Sequence, residues 1–178
     1  MKDTKPIELT QNYLKQKGFE PQRISSEGKP DFEVFYRGGG FFFCEVKSPQ
    51  LIYDEKSQCY KHSTTFSKIY DLLHKAGKQF LKVNSKHIVP NVLIWTSYHF
   101  QLNYSNFIEC FKGYIELNGR PIRDFRNSAF NRKVLNDWKV IDMHIWLQCN
   151  ENNEYYEEKI FFSNRSIMSN NLISMLLV

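Results

Sequence analysis

The chain has 178 residues, of which 42% are hydrophobic, 16% aromatic and 24% charged, with a formal net charge of +5. That composition belongs to a folded globular chain and argues against extended disorder, and no run approaches the roughly 18 apolar residues of a membrane helix. The basic balance, with a pI of about 8.9, points weakly toward a polyanionic partner.

The first residues, Met1-Lys2-Asp3-Thr4-Lys5-Pro6, contain no apolar core of a leader peptide, so a cytoplasmic location is the expectation. Cys44, Cys59, Cys110 and Cys149 are scattered without a CxxC pair, a spacing that suits reduced thiols rather than a zinc site or a disulfide framework.

A first helix is predicted from about Pro6 to Lys17, capped by Asp3 or Thr4 and stopped by Gly18. A short strand is expected over residues 19–24, followed by a loop over 25–29. Two strand-like runs, Asp31–Tyr36 and Phe41–Ser48, flank Arg37-Gly38-Gly39-Gly40 and predict a hairpin. Residues 49–66 show no clear periodicity.

In residues 67–84, Ile69, Leu72, Leu73, Ala76, Phe80 and Val83 recur at steps of three and four, the stripe of an amphipathic helix. Asn91–Thr96 reads as a buried strand, and reaching it through a helix predicts parallel pairing in the same sheet. A helix is expected over Ser105–Leu117, a second hairpin from Val140–Gln148 and Glu157–Ser163, and a short docking helix over Asn171–Val178. With no repeats and no linker, the economical reading is one domain over 1–178. Its fold class is α/β, a central mixed sheet flanked by helices.

The chemistry concentrates between Gly28 and Lys47. Strand side chains alternate faces, so Glu45 and Lys47 share one face with Val46 opposite. Charges inside an apolar strand are costly unless paired or metal-bound. With hairpin pairing, Asp31 lies near Glu45 across the ladder. Two carboxylates converging on one face make a hard oxygen site, suited to Mg²⁺ or Mn²⁺ and to phosphate oxygens as further ligands. A metal there lowers the pKa of a bound water and stabilises charge on the reacting phosphate, with Lys47 orienting the water or neutralising charge from the same face.

Pro30-Asp31, thirteen intervening residues, then Glu45-Val46-Lys47 resembles the PD-(D/E)XK nuclease superfamily, the restriction-endonuclease-like fold. The resemblance implies an α-β-β-β-α-β core over about residues 6–97 and Mg²⁺-dependent phosphodiester hydrolysis, with DNA favoured over RNA as substrate. It implies Asp31, Glu45 and the Val46 backbone carbonyl as metal ligands and Lys47 as the residue assisting the attacking water. Acid-x-Lys occurs six times, starting at Asp3, Glu27, Glu45, Asp54, Asp137 and Glu157; only the Glu45 copy sits in an apolar strand at hairpin distance from Pro-Asp. Residues 98–178 carry no part of the resemblance and are read as an extension of the same domain.

Further residues are weighed against plainer roles. Gln79 lies at the border of its helix's apolar stripe, on the flank of Lys68, Lys75 and Lys82; a site role stands beside a solvated polar edge. Glu8 resembles a first-helix metal ligand, although its spacing sets it away from the Leu9, Tyr13, Leu14 stripe, and a helix-dipole acid explains it equally. Glu33 shares a face with Asp31. Arg120, Arg123, Arg126, Arg132 and Lys133, with Phe125 and Phe130 interleaved, suit phosphate and base contacts or a solvated basic loop. The five histidines show no ligand spacing, and no Walker, GxGxxG or Gly-x-Ser-x-Gly motif occurs. The alternative to a nuclease is a non-catalytic module that binds nucleic acid or protein on the same scaffold. A homodimer or a partner subunit is compatible with either.

Overall fold

The computed structural model describes residues 4–51, 53–54, 59–60, 62–112, 114–117, 120–124, 129–163 and 167–177. Helix α1, Thr4–Gln16, ends where Gly18 takes a left-handed backbone (φ 81°) and the Phe19 amide reaches back to the Leu14 carbonyl at 3.0 Å, the hydrogen bonding of a Schellman stop. Strands β1 (Glu20–Arg23), β2 (Phe32–Tyr36) and β3 (Gly40–Lys47) follow. The β2–β3 hairpin closes at Tyr36 opposite Gly40, with Gly38 and Gly39 at positive φ in the turn, backbone angles that glycine adopts without steric cost.

Two short strands, β4 (Tyr53–Asp54) and β5 (Cys59–Tyr60), pair with each other, and α2 spans His62–Val83. Strand β6 (Asn91–Ser97) returns beside β3 in parallel, as the helical crossover predicts. The expected α-β-β-β-α-β order is therefore observed, with β4 and β5 inserted before α2.

The later elements are α3 (Tyr104–Lys112), β7 (Tyr114–Leu117), β8 (Arg120–Asp124), α4 (Ala129–Trp138), β9 (Met143–Cys149), β10 (Tyr155–Phe162) and α5 (Asn170–Leu177). They enlarge the sheet to six strands in the order β1-β2-β3-β6-β9-β10. Pairing is parallel at β3–β6 and β6–β9 and antiparallel elsewhere. The fold is α/β, a mixed open sheet flanked by helices.

Each sheet face has its own core. One joins Leu9, Tyr13 and Leu14 of α1 and Leu172 and Leu176 of α5 to Phe42, Cys44, Val46 and Ile94. The other joins Ile69, Leu73, Ala76 and Phe80 of α2, Phe107 of α3 and Val134 of α4 to Leu93, Trp95 and Trp146. Every residue of β6 and β9 is buried, as expected of central strands covered on both faces. Among the described residues no helix is long and apolar enough to cross a membrane, and Cys44, Cys110 and Cys149 are buried and form no disulfide.

Three expectations need correction. The helix predicted over 105–117 stops at Lys112 and gives way to β7; the apolar spacing runs on through Tyr114 and Ile115, residue types that also favour strands, and their backbone pairs with β8 instead. The stretch weighed as a basic loop at 120–133 contains β8 and the start of α4 where it is described. Helix α2 begins five residues earlier than expected, at His62 rather than Ser67, because the polar run His62-Ser63-Thr64-Thr65 hides the stripe that Phe66 and Ile69 continue.

Candidate active site

Strand alternation decides which face carries the charge. Phe42, Cys44 and Val46 turn toward α1, whereas Phe43 packs in the core beneath α2. Glu45 and Lys47 therefore lie under α2. The β2–β3 register pairs Phe32 with Cys44; carried one step further, it sets Asp31 opposite Glu45. Since Phe32 turns toward α1, Asp31 turns the other way, toward the two charged residues of β3.

Asp31 is anchored from both sides. Its Oδ2 accepts a hydrogen bond from the Val46 amide at 3.0 Å, and its backbone carbonyl accepts one from the Ile24 amide at 3.0 Å. A strand residue exchanges its N–H and C=O with one neighbour, so the Val46 carbonyl faces the same side as its amide, toward Asp31. Glu45 is fully buried. Its Oε1 accepts from Lys47 Nζ at 2.5 Å, closer than the usual charge-assisted contact of about 2.7–2.9 Å. Lys47 Nζ also donates to Gln79 Oε1 at 2.9 Å, and Gln79 Nε2 donates to the Lys29 carbonyl at 2.9 Å. Gln79 thus ties α2 both to the lysine and to the loop that delivers Asp31.

The flank of α2 that carries Gln79 faces the site. Lys68 and Lys75 line a cavity of about 280 Å³ together with Ser48, Gln50, Asp71 and Leu72, next to Lys47 in the chain. Lys82 lies so close to Gly28 that a Cβ there would collide with its Nζ. Asp31, Glu45, Lys47 and Gln79 are therefore brought together, with Lys75 and Lys82 on either side along the helix.

Other candidates fall elsewhere. Glu8 is exposed on α1, the helix on the opposite face of the sheet, so the structure does not bring it to the carboxylates. Among the described residues no group of three or more His, Cys, Asp or Glu gathers as a ligand set. Arg120 and Arg123 fall on β8, whose hairpin is separate from the main sheet, and Arg132 in α4. Arg126 lies outside the described residues, as do the surroundings of the other three side chains. Glu33 is half-buried and points to the same face as Asp31.

One residue escaped the sequence reading. Arg23 of β1 pairs with Phe32 in the ladder, lays its guanidinium 5.3 Å from the Phe32 ring centre and brings Nη2 to 3.6 Å from Asp31 Oδ1. Only the register reveals it, since eight positions separate Arg23 from Asp31 in the chain.

Among the described residues the donor set suits a hard divalent cation: two carboxylates on adjacent chain segments, with the Val46 backbone carbonyl on the Asp31 side. Mg²⁺ commonly takes one or two carboxylates and leaves its other positions to water and phosphate. Comparison of the chain with family models, with curated proteins and with solved structures gives no match.

Proposed function

We propose that this protein is a divalent-metal-dependent nuclease that hydrolyses phosphodiester bonds, with DNA as the favoured substrate. The observation that carries this reading is the convergence of Asp31 and Glu45 on one face, with Lys47 beside Glu45 and Gln79 holding the lysine.

Asp31, Glu45 and the Val46 carbonyl would hold Mg²⁺ or Mn²⁺. When bound, the metal supplies positive charge to the phosphate oxygens and acidifies water. Lys47 has three ammonium protons; two point to Glu45 and Gln79, and the third can hold the attacking water or a phosphate oxygen. That water adds to phosphorus, the bond to the leaving sugar oxygen breaks, and the proton lost by the water ends on the departing oxygen. Gln79 keeps Lys47 from swinging away, a positioning role that limits the loss of orientation on substrate binding. Lys68 and Lys75 offer charge along the approach, where phosphate contacts supply affinity without sequence preference.

The test is cleavage of plasmid, linear duplex, single-stranded DNA and RNA with Mg²⁺, Mn²⁺ or EDTA, beside Asp31→Asn and Lys47→Met. Metal-dependent cutting that falls at least on the order of 100-fold in both variants supports the reading. Wild-type-like cutting by either variant overturns the assigned site.

A second reading, a non-catalytic module that binds nucleic acid or protein, draws on the internal cations: Arg23 already stands near Asp31 and Lys47 near Glu45. Binding of nucleic acid without cleavage on any substrate is the result that would select it.

A further inference from the structure

We infer that Arg23 is a displaceable counter-ion of the site: it holds Asp31 in the absence of a divalent cation, and on metal binding it turns to a substrate phosphate. This rests on the nuclease reading above and adds to it a coupling between metal and substrate.

Among the described residues, the two carboxylates and the two cations paired with them balance in charge. A divalent ion arriving between Asp31 and Glu45 adds two positive charges beside carboxylates that each already hold a chain cation, and like charges that close repel strongly in a partly buried setting. One cation must give way. Lys47 is held at 2.5 Å by Glu45 and at 2.9 Å by Gln79, with its side chain 10% exposed. Arg23 stands at 3.6 Å from Asp31 and its side chain is 42% exposed. The longer, more solvated contact is the weaker one, since charge-assisted bonds of full strength measure about 2.7–2.9 Å. Arg23 is therefore the group that moves.

Its position also says where it goes. The guanidinium lies over the Phe32 ring, a contact that steadies a cation without using its hydrogen-bond donors. Those donors form a planar fork that matches phosphate. A released Arg23 can pivot on Phe32 toward a backbone phosphate next to the reacting one. Metal and substrate then assist each other, and the assistance is reciprocal: whatever factor metal adds to nucleic-acid affinity, nucleic acid adds to metal affinity.

The experiment measures Mn²⁺ binding by calorimetry, and binding of a phosphorothioate-linked DNA duplex in Mn²⁺ and in EDTA, for the wild type, Arg23→Gln and Arg23→Lys. Removing the internal cation should tighten Mn²⁺ by roughly three- to tenfold in Arg23→Gln, while Arg23→Lys stays near the wild type. Mn²⁺ should strengthen duplex binding by the wild type and much less by Arg23→Gln. A residue that only anchors β1 would leave Mn²⁺ affinity unchanged; that outcome, with Mn²⁺ still binding the wild type, overturns the inference and leaves the nuclease reading standing. No Mn²⁺ binding by the wild type would remove the metal site itself, and this inference with it.

Discussion

Lys47 and Gln79 are 32 positions apart in the chain, yet the lysine Nζ donates to the glutamine Oε1 at 2.9 Å across the seam between β3 and α2. The same glutamine holds the Lys29 carbonyl with its other end, so a single side chain sets the spacing of strand, helix and loop around the charged cluster.

Gln79→Met should keep the length of the side chain and lose both bonds. Each net hydrogen bond contributes about 0.5–1.5 kcal/mol, so unfolding in urea should show a loss of about 1–3 kcal/mol. Cleavage should fall through kcat rather than through substrate affinity, because Lys47 loses its orientation. An unchanged kcat with normal stability would show that Gln79 positions nothing.

Lys47→Met leaves the buried Glu45 carboxylate without its close cation, a change that costs about 3–5 kcal/mol. The double variant Glu45→Gln/Lys47→Met should recover most of that loss while staying inactive. Equilibrium unfolding of the two singles and the double gives the coupling directly. Additive losses would mean that the 2.5 Å pair carries no mutual stabilisation.

His144 lies fully inside the core between Trp95 and Trp138, its ring 4.4 Å from that of Trp138. Its Nδ1 accepts a hydrogen bond from Trp95 Nε1 at 3.2 Å, which leaves the proton on Nε2, and burial lowers its pKa from 6.5 to about 3. In the unfolded chain the imidazole protonates below about pH 6.5; in the folded protein it stays neutral down to about pH 3. Unfolding therefore takes up a proton in that window, and the stability this group contributes is full above about pH 6.5 and falls as the pH drops through it. Between pH 7 and pH 5 the loss amounts to about 2 kcal/mol. His144→Gln keeps an acceptor for Trp95 and should flatten this part of the stability–pH curve; equal slopes for variant and wild type would contradict a neutral buried His144.

Gly77 is an interior residue of α2, and a Cβ placed on it would meet Asp137 at 3.5–3.9 Å, ordinary contact distances. Asp137 there receives His74 Nδ1 at 2.9 Å. Because alanine in a helix interior is favoured over glycine by about 0.8–1 kcal/mol, Gly77→Ala should raise the thermal midpoint by a few degrees. A drop would mean that α2 and α4 pack too closely there to admit the methyl group.

The sequence by itself determined the local elements and the suspect residues. The β2–β3 hairpin was legible because glycines interrupt two aromatic runs, and α2 because its stripe repeats at helical spacing; the parallel return of β6 followed from chain geometry. Asp31, Glu45 and Lys47 stood out because charges inside an apolar strand demand a partner. Other features depended on contacts between segments distant in the chain. The register alone sets Arg23 beside Asp31, and the docking of α2 alone turns Gln79 inward rather than to solvent. Periodicity could not separate the end of α3 from β7, since Tyr114 and Ile115 satisfy either pattern until β8 pairs with them. Strand partners and helix faces are chosen by burial summed over the whole sheet, and that sum exists only once the chain has closed on itself.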